Sequence, residues 1–401
     1  MQADYSHKLH ILYHHRTQGR GAEGVHITSI VRSMEAMGHK VTVLSPPGID
    51  PMNTAGNAPV DKSHVKTSGI NTFWKFVSKN LPDFMFELAE IAYNIPAMRR
   101  LEKELSANHY DMIYERYAFY MFAGASKARK YKIPFVLEAN EVNGIKDRAR
   151  KQSFPALCGM FERFIFKRCT SIHTVSSYLK NMIIKQGVND DFIVVSPNAV
   201  DPKKFSGIKQ AGDLRNKYQL EGKKVLGFAG WFDHWDRLDL LVDVFIKLKH
   251  NYPDTVLLLV GDGKVLQSVR DKAKQASIEN SIVLTGPVKR DVVHQYLSLL
   301  DIAVITHSNE FGSPVVMFEF MGLKIPIIAP RLLPITDVLT DGENALLFDV
   351  LNMQQMEVTI CKLLDDPQLA GTLANNAYAK LMAHHTWDNN AREIIHSAGI
   401  G

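Results

Sequence analysis

The sequence of 401 residues predicts an α/β protein with two Rossmann-like halves. Short apolar runs, typical of buried parallel strands, alternate with helical patterns along the chain. The alternation starts again at Lys224–Ala229, the predicted first strand of the second half. Each half also has glycines in the loop after its first strand, where sheets of this kind bind ligands.

The first half begins as a βαβ unit. Leu9–Tyr13 and Lys40–Leu44 are predicted strands, and the loop Gly19–Gly24 opens the helix between them. Backbone N–H groups near Gly21 and Gly24 suit a phosphate. The loop also matches the dinucleotide fingerprint, so an NAD(P)-dependent oxidoreductase is an alternative. Two features oppose it: five residues separate the strand from the first glycine, and no acidic residue follows the second strand.

A loop and a helix start follow the predicted strand Ile302–Ile305 in the second half. Gly312, Ser313 and Pro314 form a turn, with Pro314 as the first residue of a short helix, where its missing N–H is not needed. Backbone N–H groups at such a position suit a diphosphate. Glu319 follows about 1.5 turns later and faces the same ligand. The alternative is an ordinary βαβ unit with a solvated glutamate.

The stretch from Asn309 to Pro330 resembles the donor-site signature of family 4 retaining glycosyltransferases of the bacterial cell-surface or exopolysaccharide type. That family has the GT-B fold, two Rossmann-like domains facing across a cleft. Its signature has two glutamates separated by seven residues. The second matches Glu319, which the resemblance implies holds the ribose of a nucleotide sugar. The first falls on Phe311, next to Glu310, the catalytic candidate.

The resemblance continues over nearly the whole chain. Gly38–Val41 resembles the family's strand entry, and Val194–Asp201 resembles the end of its first domain, with Ala199 in place of glycine. These matches predict an acceptor-side domain over residues 1–205, joined by a C-terminal helix over 387–401. A nucleotide-sugar-binding domain is predicted over 206–386.

The loop after Lys224–Ala229 departs from the family pattern. Arginine and lysine normally follow its glycine, Gly230 here, and both neutralise the leaving diphosphate. Trp231 and Asp236 occupy their positions. The nearest cation is Arg237, which we predict takes over this catalytic role. Gly261, in the next turn of the domain, is predicted to bind the donor.

Candidate residues on the acceptor side lie in the first domain. Glu138 ends a predicted strand and is followed by Ala139, Asn140 and Glu141. The family often carries His-Asp at the last two positions, beside the transferred sugar, so Asn140 and Glu141 are catalytic candidates. Asparagine can bond a sugar hydroxyl but cannot donate as an imidazolium. His26 is assigned to the acceptor side, and a merely polar strand end is the alternative.

The implied reaction moves a sugar, with retention, from a nucleotide-diphosphate donor to a hydroxyl of a glycan or lipid-linked saccharide. It implies no cofactor and no metal, because the sequence has no Asp-x-Asp pair to hold an ion. Asp233, Asp236 and Asp239 are the only nearby acidic cluster and form the alternative metal site. A catalytically inactive partner subunit is a further alternative, because the arginine and lysine are missing.

The composition indicates which class of ligand and which cellular location to expect. Net charge is +5, which favours small anionic ligands or an anionic membrane surface and is too weak to indicate nucleic acid. Three widely spaced cysteines, a polar N-terminus and the lack of a ~20-residue apolar run predict a cytoplasmic protein. The basic stretch Lys146–Arg168 is either a core helix with a solvated back or a patch for peripheral contact with the inner membrane face.

Overall fold

The computed structural model describes residues 8–19, 21–54, 82–145, 152–205 and 212–400. The chain divides into two compact units. Unit 1 comprises Met1–Ser196 together with Trp387–Gly401, and unit 2 comprises Pro197–Thr386. Each unit is built on one parallel sheet of six strands, so the predicted α/β class with two Rossmann-like halves is confirmed.

The sheet of unit 1 has the strand order β2-β1-β3-β4-β5-β6. Its strands are β1 His10–His14, β2 Lys40–Leu44, β3 Met112–Arg116, β4 Phe135–Ala139, β5 Ser171–Thr174 and β6 Ile193–Val195. The described helices that accompany them are α1 Gly21–Ala36, α2 Pro51–Thr54, α3 Asp83–Ala92, α4 Asn94–Ala107, α5 Ala123–Tyr131, α6 Pro155–Phe166 and α7 Ser177–Lys185. The strand order reverses between β1 and β3.

The sheet of unit 2 has the order β12-β11-β10-β7-β8-β9. Its strands are β7 Lys224–Phe232, β8 Thr255–Gly263, β9 Ile282–Leu284, β10 Ile302–Val304, β11 Ile327–Pro330 and β12 Leu346–Phe348. Its helices are α8 Gly212–Lys217, α9 Leu238–Asn251, α10 Leu266–Gln275, α11 Val293–Leu297, α12 Val315–Gly322, α13 Leu333–Thr336, α14 Met353–Asp365 and α15 Pro367–His384. The order reverses between β7 and β10.

The last helix, α16, spans Trp387–Ser397 and belongs to unit 1. The hydroxyl of Ser397 lies 2.7 Å from the hydroxyl of Ser171 and 2.7 Å from Nε2 of His173, both on β5. The ring of Trp387 meets the ring of His26 edge-on, with centroids 4.8 Å apart. These contacts attach α16 to the sheet and to α1 within unit 1.

Successive side chains of β7 point to opposite faces of the sheet, and the helices of unit 2 pack on both faces. Ala229 packs in the same buried cluster as Met317 of α12. Phe228, the preceding residue, packs with Leu241 of α9 on the opposite face. The helix that carries Glu319 therefore has a fixed face, and its first turn lies near the carboxyl edge of the sheet.

Candidate functional site

The carboxyl edge of the unit 2 sheet divides between β7 and β10. The chain leaves β7 toward β8 on one side, whereas β10 lies on the other side of β7 and leads to β11. Loops after two such strands turn away from each other and leave a crevice, the usual ligand site of α/β sheets. Most predicted donor-side residues follow these two strands: Arg237, Glu310, Gly312, Ser313, Pro314 and Glu319. The expectation that Gly230 and Gly261 lie in loops was wrong, because β7 continues to Phe232 and β8 to Gly263.

A hydrogen bond joins the two loops. Nδ1 of His307, after β10, lies 2.9 Å from the backbone oxygen of Trp235, after β7. Because a carbonyl oxygen only accepts, Nδ1 must carry the proton and Nε2 has a lone pair when the ring is neutral. Sequence reasoning missed His307, and a single histidine in a polar loop gave no signal for it.

The Gly312–Pro314 turn is held by two asparagines. The side chain of Asn309 accepts the N–H of Gly312 at 2.5 Å, and a Cβ on Gly312 would lie 2.6 Å from that oxygen. Asn198 donates its backbone N–H to the Ser313 hydroxyl at 3.1 Å and its side-chain amide to the Ser313 carbonyl at 2.7 Å. The turn is therefore shaped before any ligand arrives.

The predicted start of the following helix was wrong by one residue. Pro314 was expected as the first helical residue, but it has an extended conformation with ψ of 111° and α12 begins at Val315. Its ring fixes only φ, here −64°, and that value suits both conformations. The Pro314 carbonyl accepts from Met317 at 3.1 Å, and no side chain in the described ranges caps the helix. The N–H groups of Val315 and Val316 are therefore available to a ligand.

Glu319 is the fifth residue of α12 and is accompanied by two cations. Its side chain is 19% exposed, and Oε1 lies 4.0 Å from Nη2 of Arg290. Burial raises the pKa of Glu319, whereas Arg290 and Lys204 favour its charged form. Arg290 was not among the sequence-based site residues. It follows β9 and reaches Glu319 only through the fold.

The acidic residues after β7 have structural partners. The backbone N–H of Asp233 donates to the Asp236 carboxylate at 2.9 Å, and the Asp233 carboxylate accepts from His234 and from Lys264. Arg237 has a left-handed conformation, with φ of 48°, and binds the Asp239 carboxylate through two N–H groups at 2.9 and 2.8 Å. In the described ranges no group of three His, Cys, Asp or Glu side chains is placed to hold a metal.

Asp236 should give the protein a measurable pH dependence of stability. Burial raises its pKa to about 6, so the folded state holds a proton that the unfolded chain releases near pH 4. Stability from this group is therefore present below pH 4 and is lost as pH rises to about 6. We expect Asp236→Asn to raise the free energy of unfolding at pH 7 by about 1–3 kcal/mol, with little effect at pH 4.

Urea unfolding at both pH values measures this effect. Asp271→Asn, on the exposed side of α10, is the matched control, because it makes the same chemical change at the surface. Equal destabilisation by Asp236→Asn at both pH values would contradict the expectation.

Close contact between β7 and β8 explains why positions 230 and 261 are glycines. They face each other across β7 and β8, and a Cβ on Gly261 would lie 2.0 Å from the Gly230 carbonyl oxygen. Gly263 likewise has no room, because its Cβ would lie 2.3 Å from the backbone oxygen of Phe232. Between these glycines Trp231 stands 52% exposed, in the position where a cation was expected. Donor binding by Gly230 and Gly261 stays a prediction.

In unit 1 the corresponding edge lies between β1 and β3. Gly21 begins α1 with φ of 61°, and the buried Gly24 follows in the first turn. The buried carboxylate of Glu138, at the end of β4, accepts hydrogen bonds from Arg116 and Asn140. Sequence analysis named Glu138 only as a strand end and missed Arg116.

His26 and Glu141 also lie near this edge. Nδ1 of His26 is 3.3 Å from Nη1 of Arg116 and 3.4 Å from Glu138, and burial lowers the His26 pKa to about 4. Glu141 follows β4 and is half-buried. The predicted acceptor-side residues thus stand at one edge of one sheet.

Matches to two known protein families identify the class to which this chain belongs. Residues 23–204 match the family described as Glycosyltransferase Family 4, and residues 211–380 match Glycosyl transferases group 1. The chain belongs to the family 4 glycosyltransferases. The resemblance that the Asn309–Pro330 stretch carried is therefore confirmed.

This glycosyltransferase has distant relatives over most of its length. An uncharacterized glycosyltransferase of Methanocaldococcus jannaschii is 25% identical over 314 residues, 76% of this chain and 80% of that protein. The alpha-monoglucosyldiacylglycerol synthase of Acholeplasma laidlawii is 23% identical over 374 residues, 88% of this chain and 87% of that protein.

Solved structures show the same fold. A glycosyltransferase from Rickettsia africae has a TM-score of 0.73 at 14% identity, covering 98% of both chains. Anabaena HepE in complex with UDP-glucose has a TM-score of 0.68 at 16% identity, covering 98% of this chain and 99% of that one. The GT-B fold class is thereby confirmed.

Nothing supports the oxidoreductase alternative for this glycosyltransferase. The residue after β2, where an acid would hold an adenosine ribose, is Ser45. Its hydroxyl lies 2.8 Å from Nε2 of His15 and so has a structural partner. Within the described ranges, none of the helices combines the length and apolarity needed to cross a bilayer.

Proposed function

We propose that this glycosyltransferase takes a nucleotide-diphosphate sugar on unit 2 and transfers the sugar, with retention, to a hydroxyl acceptor. The observation that carries the proposal is Glu319 at the reversal of strand order, one turn beyond the uncapped start of α12. A carboxylate there suits ribose hydroxyls, and the N–H groups suit a diphosphate. The complex of Anabaena HepE with UDP-glucose supports this class of donor.

The reaction requires groups that stabilise the negative charge that develops on the leaving diphosphate. The bond between the anomeric carbon and the diphosphate oxygen breaks while the acceptor oxygen bonds to the same face of that carbon. The acceptor proton passes to the leaving phosphate. The N–H groups at the start of α12 stabilise the new charge, together with Arg237. Attack on the same face requires no carboxylate nucleophile, and retention follows directly.

A donor screen tests the proposal. Calorimetry with UDP, GDP, ADP and CMP, followed by their sugar conjugates, identifies the base, and NMR of the product defines the anomeric configuration. Failure of every nucleotide to bind would overturn the proposal, and an inverted product would overturn retention.

We expect transfer to proceed without a divalent metal. Fixed dipoles and Arg237 take the place of an ion, and the nearest carboxylates already bind Lys264, the Asp233 N–H or Arg237. The initial rate in excess EDTA should equal the rate with added Mg²⁺ or Mn²⁺. A rate that collapses in EDTA and returns with metal would contradict both this expectation and the proposed leaving-group site.

An inactive partner subunit is the second candidate, favoured by Trp231 and Asp236 at the two cation positions. Nucleotide binding without turnover, for any donor and for a broad acceptor panel, would support it. Turnover that Glu319→Gln abolishes would exclude it.

The acceptor that we propose is a glycan or lipid-linked saccharide, reached by peripheral contact with an anionic membrane. Residues 146–151 of the predicted basic stretch lie outside the described residues. Most of the remainder forms α6, in which Cys158, Glu162 and Ile165 are buried while Met160 is 52% exposed. Flotation with anionic and neutral vesicles separates membrane contact from an ordinary core helix.

A further inference from the structure

A buried polar cluster lies at the carboxyl edge of the unit 1 sheet, with Glu138 at its centre. Arg116 and Glu138 are paired in register on β3 and β4, so their side chains share a face. The Tyr13 and Tyr114 hydroxyls donate to Oε2 of Glu138 at 3.1 and 3.0 Å. Arg116 and Asn140 both donate to Oε1. Because these two bonds end on one atom, the guanidinium and the amide lie side by side.

Arg116 has more donors than its neighbours can accept. Of its five N–H groups, one bonds Glu138 and one bonds His26, and the Tyr13 hydroxyl lies close enough for a third. At least two therefore remain, on a side chain that is only 12% exposed. None of its nitrogens is fully buried without a partner, so the remaining N–H groups reach the accessible side of the cluster, where they can bind a ligand.

Asn140 supplies an acceptor beside these donors. Its amide nitrogen is held by Glu138, which fixes the orientation of the side chain. Within the described part of the chain its oxygen has no hydrogen-bond partner, and the residue is half-buried. The cluster thus presents N–H donors and a carbonyl acceptor next to each other.

The charges decide which ligand fits. A guanidinium edge alone would suit phosphate or carboxylate. Here Glu138 already neutralises Arg116, and Glu23 in the first turn of α1 is close enough to act on it as well. His15 and His26 are neutral at pH 7, because burial lowers the pKa of each to about 4. These groups leave no net positive charge at the cluster to hold an anion, so a neutral ligand is favoured.

We propose that Arg116 and Asn140 bind adjacent hydroxyls of a neutral saccharide, with Glu138 as their positioning residue. One sugar oxygen accepts from Arg116, and a neighbouring hydroxyl donates to the oxygen of Asn140. This assignment rests on the proposed function, because it places a sugar-binding subsite for that reaction on unit 1. It adds Arg116 and Glu138 to the residues that sequence analysis had selected.

Saturation-transfer NMR on the full chain tests the proposal, with methyl α- and β-glycopyranosides of glucose, galactose and mannose as probes. We expect Arg116→Lys and Asn140→Ala to weaken binding of the bound glycoside by at least about fivefold. Lysine keeps the charge but not the planar donor edge. Glu138→Gln should weaken binding through the loss of the charged partner that orients Arg116.

Three controls separate the outcomes. Arg168→Lys makes the same change two residues after the end of α6 and should bind the glycoside like wild type. Affinity for UDP, which carries no sugar to be transferred, should be unchanged in the Arg116 and Asn140 variants, so failure of the nucleotide site on unit 2 is detected separately. Unchanged glycoside binding in those variants, absence of saturation transfer to every glycoside in wild type, or displacement of the glycoside by inorganic phosphate would overturn the proposal.

Discussion

Replacing Arg237 with alanine should lower the turnover number for a nucleotide-sugar donor by about 100-fold, the usual effect of removing one preorganised group from a developing oxyanion. The guanidinium stands at the start of α9, after the loop that borders the crevice. Two bonds to Asp239 hold it in one orientation. Because the charge on the phosphate grows as the sugar leaves, the loss should fall on turnover more than on donor affinity.

Steady-state kinetics of the alanine variant check this expectation, with Arg270→Ala on the exposed side of α10 as control. The same measurement on Arg290→Ala distinguishes the two cations. If Arg237→Ala keeps wild-type turnover and Arg290→Ala does not, then the arginine beside Glu319 supplies the charge. The family pattern of a cation after β7 would then have moved to the loop after β9.

Glu319→Gln should weaken binding of the donor by about 1.5–3 kcal/mol, or roughly 10- to 150-fold in the dissociation constant. Glutamine has nearly the same shape, but it offers a neutral acceptor in place of a charged one. The substitution also leaves Arg290 without its carboxylate partner, 4.0 Å away in the structure. Calorimetry with UDP-glucose, or with the donor that the screen selects, measures the change.

The pH dependence of binding gives a second measure of the same residue. Burial raises the pKa of Glu319, so its carboxylate is lost as pH falls through that raised value. Donor affinity should therefore decline at acidic pH in wild type and change less in Glu319→Gln. Glu343→Gln, at an exposed turn of unit 2, should behave like wild type. Equal affinity of wild type and Glu319→Gln would remove Glu319 from the ribose site.

The sequence could relate those candidate site residues that are neighbours in the chain. The turn, the helix and Glu319 lie within eight residues, so pattern alone could relate them. Arg290 reaches Glu319 from another strand, and Arg116 meets Glu138 across β3 and β4. Such pairs depend on strand order and register, which a single sequence does not specify.

Asp236 shows a different limit of prediction from the sequence. Its sequence position suggested only a missing lysine. In the structure Asp233 and Asp236 close the loop by bonding each other's backbone N–H groups, a capping box. The spacing of the two acids was visible in the sequence and would have predicted this role, had the loop been compared with a helix start instead of with the family pattern.

The bond between His307 and the Trp235 carbonyl has a consequence for protein engineering. The acceptor is a backbone carbonyl, so a graft that replaces the segment after β7 can keep the bond, whereas a graft that replaces the segment after β10 and removes His307 loses it. A chimera that exchanges the segment after β10 should therefore retain a histidine at position 307, so that the two sequence-distant segments stay joined as one module.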